Sequence, residues 1–356
     1  MLRIERIAAT PLSVPLSSPF VIASARVDVT PNVLVEVELV DSKTGARALG
    51  LGEAATLHPV TSETQHDVLA RIAQLVTPCE LAALEGLQGS TAQGVSMAVE
   101  DALARLEGKT LRGALAGARQ VVELIITDIT LPIGEPAAMA QLARDWRARG
   151  FTCFKVKVGK DADADLRALE QIHRAVPDAT FRIDANAAFT AAEAISLAKA
   201  SERLGLVVEC FEQPCGKFAL DAMAEVAAAL TIPVIADESV QGLEDVVQLA
   251  KERACDGINL KLAKLGSPRA AVALGRLARE KYGMKLMMGA MVETRLGITA
   301  AANVAAALGG VEFPDLDTPL LLDADPFSGG YVMTGARLAL ASGAGLDVRL
   351  LNRATV

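Results

Sequence analysis

A chain of 356 residues with 51% hydrophobic and 22% charged positions has the balance of an ordinary globular protein, which excludes long disorder and an extended coiled coil. A formal net charge of -8 and the absence of any basic run leave no electrostatic footprint for nucleic acid or an anionic membrane. Cys79, Cys153, Cys210, Cys215 and Cys255 are scattered without CxxC spacing and read as reduced thiols of a cytoplasmic protein, while three histidines without metal-site spacing leave any metal to oxygen ligands.

The opening MLRIERIAATPLSVPL breaks its apolar residues with charges and prolines, so neither a signal peptide nor an anchor is expected. No later stretch has the uncharged run that a transmembrane helix needs. RIAATPLSVPL and NVLVEVELV read as strands, followed by helical patterns over residues 63–76 and 92–107, which together predict an α+β domain over residues 1–118. From about Leu124 short β-branched runs alternate with longer amphipathic segments, the pattern of βα units on a parallel sheet.

Eight strand candidates follow in order, LIITDITL, FKVKV, FRIDA, LVVECFE, PVIAD, GINLKL, KLMMG and VEFPD, so residues 119–322 predict an α/β fold of the (β/α)8 TIM-barrel type. The helix over 136–149 should stop at Gly150, and Thr190 is placed as an N-cap. The Gly-rich tail, residues 323–356 with FSGGYVMTG and GAGLDVRLL, is expected to pack back on the first domain and complete it.

In such a barrel the active site lies at the C-terminal ends of the strands. The third, fourth and fifth strands end in Asp184, Glu212 and Asp237, one carboxylate each. Any one of them could be a helix N-cap or a surface ion pair, but three at successive strand ends form an oxygen cage suited to a hard cation such as Mg²⁺. Lys155 and Lys157 stand two apart on the second strand and so share a face, and Lys261 lies on the sixth strand across the barrel.

Burying lysines there calls for an acidic partner or a catalytic role. Desolvation and nearby cations lower a lysine pKa whereas carboxylate partners raise it, so the residue types leave both readings open. Glu238, next to Asp237, is placed either to hold Lys261 or to stand at a helix N-terminus.

The segments FKVKVG, RIDAN, FEQP, ADES and INLKLAK, in this order, resemble the enolase superfamily and within it the muconate lactonizing enzyme subgroup, over nearly the whole chain. VPLSSPFVIAS and GLGEAAT are similar to the loops by which that family's N-terminal capping domain closes over the barrel mouth. The resemblance implies that Asp184, Glu212 and Asp237 bind Mg²⁺ and that Lys157 and Lys261 act as acid and base on opposite faces of a carboxylate substrate, through an enediolate. Lys155 would assist electrostatically, and Asn186 would sit beside the metal's waters.

MVETRLGITAAA followed by PDLDTPLLL further resembles the dipeptide epimerases, of the L-Ala-D/L-Glu epimerase type, whose Asp-x-Asp segment falls on Asp315 and Asp317. These carboxylates suit the free α-ammonium of a dipeptide, and the reaction implied is a 1,1-proton transfer at the α-carbon of its C-terminal residue. By the same resemblance Phe20, Ile22, Ser24, Thr56 and Leu57 would line the specificity pocket, and the protein would be a homo-oligomer. Relatives acting on Ala-Glu carry an arginine where this chain has Ala25, with Arg26 one residue later, so the expectation turns to a non-glutamate dipeptide. Thr130, Glu293 and Arg295 also fall near strand ends, as substrate contacts or as ion-pair scaffolding.

Cycloisomerases and o-succinylbenzoate synthases share the lysine and metal arrangement, and the Asp315/Asp317 pair is what sets them apart. A mandelate-racemase-like arrangement lacks its strand-end histidine, because His173 falls in a helical segment. A Schiff-base aldolase would not require three metal-type carboxylates. A barrel that only binds ligand is the non-catalytic alternative.

Overall fold

A computed structural model of the chain describes residues 2–21, 26–58 and 60–351. The alternating first segment forms an antiparallel sheet of β1 (Leu2–Val21), β2 (Arg26–Asp41), β3 (Arg47–Ala54) and short β4 (Cys79–Glu80), in the order β3-β2-β1-β4. Val33, Val35, Val37 and Leu39 of β2 alternate into one core with Val68 and Ile72 of α1 (Gln65–Ala73) and Val95, Ala98 and Ala102 of α2 (Gly89–Leu106). The contact between β3 and α2 depends on glycine: a Cβ on Gly52 would lie 2.0 Å from the Gly94 carbonyl oxygen, and one on Gly50 would overlap the Ala98 carbonyl. Short α3 (Leu111–Ala116) then leads to β5 (Leu124–Ile126).

Eight parallel strands follow, neighbours in chain order: β6 (Ile129–Leu131), β7 (Cys153–Lys157), β8 (Thr180–Asp184), β9 (Val207–Glu212), β10 (Val234–Ala236), β11 (Gly257–Leu260), β12 (Lys285–Met288) and β13 (Phe313–Pro314). The connecting helices are α4 (Pro136–Ala148), α5 (Ala162–Ala175), α6 (Ala191–Arg203), α7 (Leu220–Ala229), α8 (Leu243–Glu252), the single turn α9 (Leu262–Leu265), α10 (Pro268–Tyr282) and α11 (Arg295–Ala307). Thr190 caps α6 through a reciprocal box with Glu193, and Gly150 after α4 takes φ +94°. His173 lies within α5.

The segment LIITDITL divides in two, where its sequence suggested one strand. Only Ile129–Leu131 joins the barrel, while β5 pairs with a strand of the tail. The break falls at Asp128, which turns to Arg182 of β8 at 2.9 Å, while the Thr127 N–H bonds the Ala336 carbonyl at 2.9 Å. The seam between β6 and β13 is closed by the same residues: Leu316 N–H donates to Thr127 Oγ1 at 2.7 Å, and the Arg182 guanidinium donates to the Pro314 carbonyl at 2.5 Å.

The tail strands are β14 (Phe327–Gly329), β15 (Tyr331–Thr334), β16 (Arg337–Leu340) and β17 (Val348–Leu350), with β15 and β16 extending β5 and β14 pairing β17. The tail touches both parts of the protein: Leu346 N–H donates to Asp101 of α2 at 2.6 Å, and Asp323 N–H to the Pro15 carbonyl at 2.9 Å, while β16 lies on β5. Among the described residues no helix is long and apolar enough to cross a membrane.

Period-two alternation sorts the barrel strands. Phe154, Val156, Phe181, Ile183, Phe211, Val234, Ala236, Ile258, Leu260, Leu286 and Met288 belong to the large core beneath the helices. The intervening residues face inward, with Cys210, Ile235, Met287 and Phe313 forming a small apolar plug. One step further along the strands, the inward positions are polar.

Gly52→Ala is expected to lower the unfolding free energy by about 1–3 kcal/mol, because the methyl group meets backbone rather than a movable side chain. Urea denaturation measures it, and an unchanged midpoint would show that β3 and α2 separate without cost.

Candidate active site

The polar inward layer is set by strand register. Lys157 stands beside Asp184, and Asp184 beside Glu212, so three charges occupy adjacent positions at one level. Lys157 Nζ lies 2.6 Å from Asp184 Oδ2. Lys155, one step deeper, has Asp184 Oδ2 at 3.0 Å, Glu212 Oε2 at 2.6 Å and Asp315 Oδ2 at 2.7 Å. Across the barrel Lys261, at the end of β11, holds Asp237 Oδ2 at 2.7 Å, and Lys264 in α9 holds Asp237 Oδ1 at 2.7 Å.

Lys155, Lys157, Lys261 and these acids are buried and the Lys264 side chain is largely covered, so their charges are stabilised mainly by each other. Burial pushes the Lys155 ammonium down, yet the surrounding Asp315, Glu212 and Asp184 carboxylates overcome that and hold it well above the usual lysine range. Lys261 is likewise raised, chiefly by Asp237 and Glu212 against its burial. Asp184 and Asp237 are pulled below the carboxylate range against their own burial, the first by Lys157 and Lys155, the second by Lys261 and Lys264. Glu212 goes the other way: burial first, then the Asp184 charge, push it up to about 7.

Lys155, Lys157, Asp237, Glu238, Lys261, Lys264, Asp315 and Asp317 line one cavity at the mouth, with Asn186 and Thr130. Asp184 and Glu212 lie beneath this floor, covered by the lysines. Among the described residues no three His, Cys, Asp or Glu side chains gather into a metal-ligand group; the ammonium groups stand between the acids. Several oxygens are nevertheless left over. Asn186 Oδ1, Glu238 Oε2, Asn259 Oδ1 and Asp317 Oδ1 are buried without a hydrogen-bond donor, and so is Glu212 Oε2, whose 2.6 Å approach to Lys155 lacks hydrogen-bond geometry.

Glu238 is turned to the Asn186 amide at 3.3 Å rather than to Lys261. Asp317 accepts the Thr130 N–H at 2.6 Å, and burial followed by the Asp315 charge pushes its carboxyl up to about 6. Leu57 lines the cavity, with Val60, Ala290, Met291 and Val292. Thr56 does not, a correction to its expected place in the pocket: its hydroxyl donates to the Pro31 carbonyl and its N–H to Asn32 Oδ1, inside the first domain. Phe20 is the last residue but one of β1, its backbone paired with Val27, while Ile22, Ser24 and Ala25 lie outside the described residues. Arg26 is engaged by Asp28 of its own strand at 3.0 Å.

The cavity wall formed by residues 290–294 is fastened to the first domain by a buried polar network. Glu53, ending the GLGEA run of β3, accepts Thr294 Oγ1 at 2.6 Å and the Gly297 N–H at 2.9 Å, and so caps α11 from across the domain boundary. Asn32 donates to Glu53 at 2.7 Å and to the Val292 carbonyl at 2.9 Å. Glu293 takes the Gln93 amide at 3.2 Å. Arg295 points away, donating to the Gly329 and Tyr331 carbonyls at 3.1 and 2.9 Å, so it is scaffolding for the tail. Glu53 and Lys264 lie in the GLGEAAT and INLKLAK segments, but their roles, like those of Asn32 and Gln93, are not legible there, because their partners are distant in the chain or lie on another strand.

A barrel whose strand ends present lysines and carboxylates beneath a capping α+β domain places its charged groups at the end where enzymes of this fold hold their active sites. The chain belongs to the enolase superfamily, its residues 138–354 matching the enolase C-terminal domain-like family. It is 36% identical to the aromatic dipeptide epimerase of Herpetosiphon aurantiacus, over 98% of this chain and 99% of the relative. The substrate-liganded L-Ala-D/L-Glu epimerase of Bacillus subtilis superposes with a TM-score of 0.89 at 31% identity, covering 97% of this chain and 98% of the other. The Enterococcus faecalis dipeptide epimerase, complexed with Mg and the dipeptide L-Leu-L-Tyr, also superposes at 0.89, with 28% identity over 97% and 99% of the two chains.

Burial, and then the neighbouring Glu53, push the Glu293 carboxyl up to about 8 from an ordinary 4.5. The protonated form therefore favours the fold, a contribution that is complete below pH 4.5 and lost as pH rises through about 8. Relative to Glu293→Gln, the unaltered protein should lose stability between pH 5 and pH 8, by at most ~1.4 kcal/mol per pH unit. Urea denaturation of both proteins at the two pH values tests this, and parallel pH dependences would contradict it.

Proposed function

We propose that the chain is a Mg²⁺-dependent dipeptide epimerase that inverts the α-carbon of the substrate's C-terminal residue, with Lys157 and Lys261 as the acid/base pair. The observation that carries this reading is the placement of the two lysines. Each sits on its own carboxylate at the cavity, and β7 and β11 are four strands apart in the ring of eight, hence across the mouth from each other. A substrate α-carbon between them would have one amine on each face.

We assign Asp184, Glu212 and Asp237 to hold the Mg²⁺. When fully ionised, six carboxylates, these three with Glu238, Asp315 and Asp317, would exceed the ammonium groups of Lys155, Lys157, Lys261 and Lys264 by two negative charges, which one divalent cation would balance. The buried oxygens of Glu238, Asn186 and Asn259 that lack a hydrogen-bond donor are ligands of the kind that Mg²⁺ selects. When bound, the cation supplies electrophilic stabilisation to the substrate carboxylate. With Asp184 and Asp237 given over to the cation, the amines of Lys157 and Lys261 that they now hold would be left to the substrate.

One lysine, as the neutral amine, takes the α-proton. The electron pair passes into the carboxylate as an enediolate, and the other lysine, as ammonium, delivers a proton to the opposite face, so the configuration inverts. Lys155 remains cationic among its acids and steadies the charge that develops on the carboxylate oxygens. Asp315 and Asp317 take the substrate's free α-ammonium, a partner that a cycloisomerase or o-succinylbenzoate synthase substrate lacks. Leu57, Val60, Ala290, Met291 and Val292 give the cavity an apolar wall, and Arg26 is already bound to Asp28, so a dipeptide with uncharged side chains suits it.

Incubation of L,L-dipeptide pools in D₂O with Mg²⁺ should place one deuterium at the α-carbon of the C-terminal residue, read by mass spectrometry. Lys157→Ala and Lys261→Ala are each expected to lower the epimerisation rate at least 100-fold. No exchange with any dipeptide, despite confirmed Mg²⁺ binding, would overturn the assignment.

A further inference from the structure

The geometry assigns Gln213 a positioning role: its side chain and backbone form the joint that sets the spacing of the carboxylates at three successive strand ends. This role rests on the proposed function, since it concerns the residues there given to Mg²⁺. Gln213 is fully buried immediately after Glu212, and no charged or reacting group touches its side chain. Its amide is nevertheless bonded on both ends. Oε1 accepts the Asp237 N–H at 2.8 Å and the Ser239 N–H at 3.2 Å, while Nε2 donates to Ser239 Oγ at 2.8 Å and to the Cys215 carbonyl at 2.9 Å.

The backbone of the same residue completes the joint. Its N–H donates to the Ile235 carbonyl of β10 at 2.8 Å, and its carbonyl accepts the Ala187 N–H from the loop after β8 at 2.9 Å. The chain thus leaves β8, β9 and β10 through one residue, just where Asp184, Glu212 and Asp237 stand. To do so it adopts left-handed backbone at Gln213, φ +32°, and in the loop it holds, at Asn186, φ +44°, and Ala187, φ +66°. Left-handed conformations at residues with a Cβ persist only where surrounding bonds over-determine them, and the side-chain amide supplies such bonds.

An apolar side chain of the same length would fill the space and lose the acceptor that holds Asp237 N–H. Ser239 would lose its support as well, although its hydroxyl keeps the Lys217 carbonyl as an acceptor at 2.8 Å. The acceptor half of the amide is the part that reaches the ligand residue directly. A protonated glutamate keeps an acceptor for the Asp237 N–H and a donor for the Cys215 carbonyl, whereas methionine keeps neither.

The test is calorimetric titration of the unaltered protein, Gln213→Met and Gln213→Glu with MgCl₂ alone, with circular dichroism to confirm folding. We expect Gln213→Met to bind Mg²⁺ at least tenfold more weakly while Gln213→Glu stays within threefold of the unaltered protein. A folded Gln213→Met within threefold, or a tenfold loss in both variants, would overturn the role. If Gln213→Met does not fold, Gln213→Asn, one methylene too short to reach the Asp237 N–H, takes its place under the same thresholds. An unaltered protein that binds no Mg²⁺ overturns the proposed function and this role with it, a result distinct from loss in a variant alone.

Discussion

The structure depends on one costly arrangement: an ammonium group, that of Lys155, buried among the carboxylates of Asp184, Glu212 and Asp315 at 3.0, 2.6 and 2.7 Å. Neither sign of charge tolerates that depth alone, and removing one partner of a buried pair typically costs about 3–5 kcal/mol. The barrel therefore has to deliver all of these residues together. It does so by register, since parallel strands place Lys157, Asp184 and Glu212 side by side, while the apolar plug of Cys210, Ile235, Met287 and Phe313 excludes water from below. The chemistry we propose rests on the same constraint, since buried lysines that touch carboxylates could exchange those partners for a charged substrate.

The first domain completes the site by polar means. Glu53 crosses the boundary to cap α11, and Asn32 grips the Val292 carbonyl, so the wall at residues 290–294 takes its position from β2 and β3 as much as from the barrel. β3 in turn is held on α2 by glycines that allow backbone to meet backbone. GLGEAAT thus performs several tasks in a few residues: close packing at Gly50 and Gly52, a helix cap at Glu53, and the start of the loop that brings Leu57 to the cavity.

Much of the barrel was legible because its inward charges interrupt apolar strands with period two. Lys155 and Lys157, and the terminal Asp184, Glu212 and Asp237, stand out against Phe154, Ile183, Phe211 and Ala236 without any knowledge of pairing. What stayed hidden depends on partners far away in the chain. The division of LIITDITL follows from Arg182 and from a tail strand more than two hundred residues downstream. The resemblance places Thr56 in the pocket, yet its hydroxyl is taken by the Pro31 carbonyl. Gln213 lies in the FEQP segment without a role that the segment itself assigns, and the role proposed for it emerges from side-chain hydrogen bonds made across two strand ends.

The central claim is that the carboxylates now paired with lysines are the ones that take a divalent cation when substrate is bound. Anomalous diffraction from crystals grown with Mn²⁺ and an uncharged L,L-dipeptide examines it directly. The account predicts a single peak about 2.1 Å from oxygens of Asp184, Glu212 and Asp237, with Lys157 and Lys261 moved onto opposite faces of the dipeptide α-carbon. A peak elsewhere, or lysines still seated on Asp184 and Asp237 beside a bound dipeptide, would contradict it.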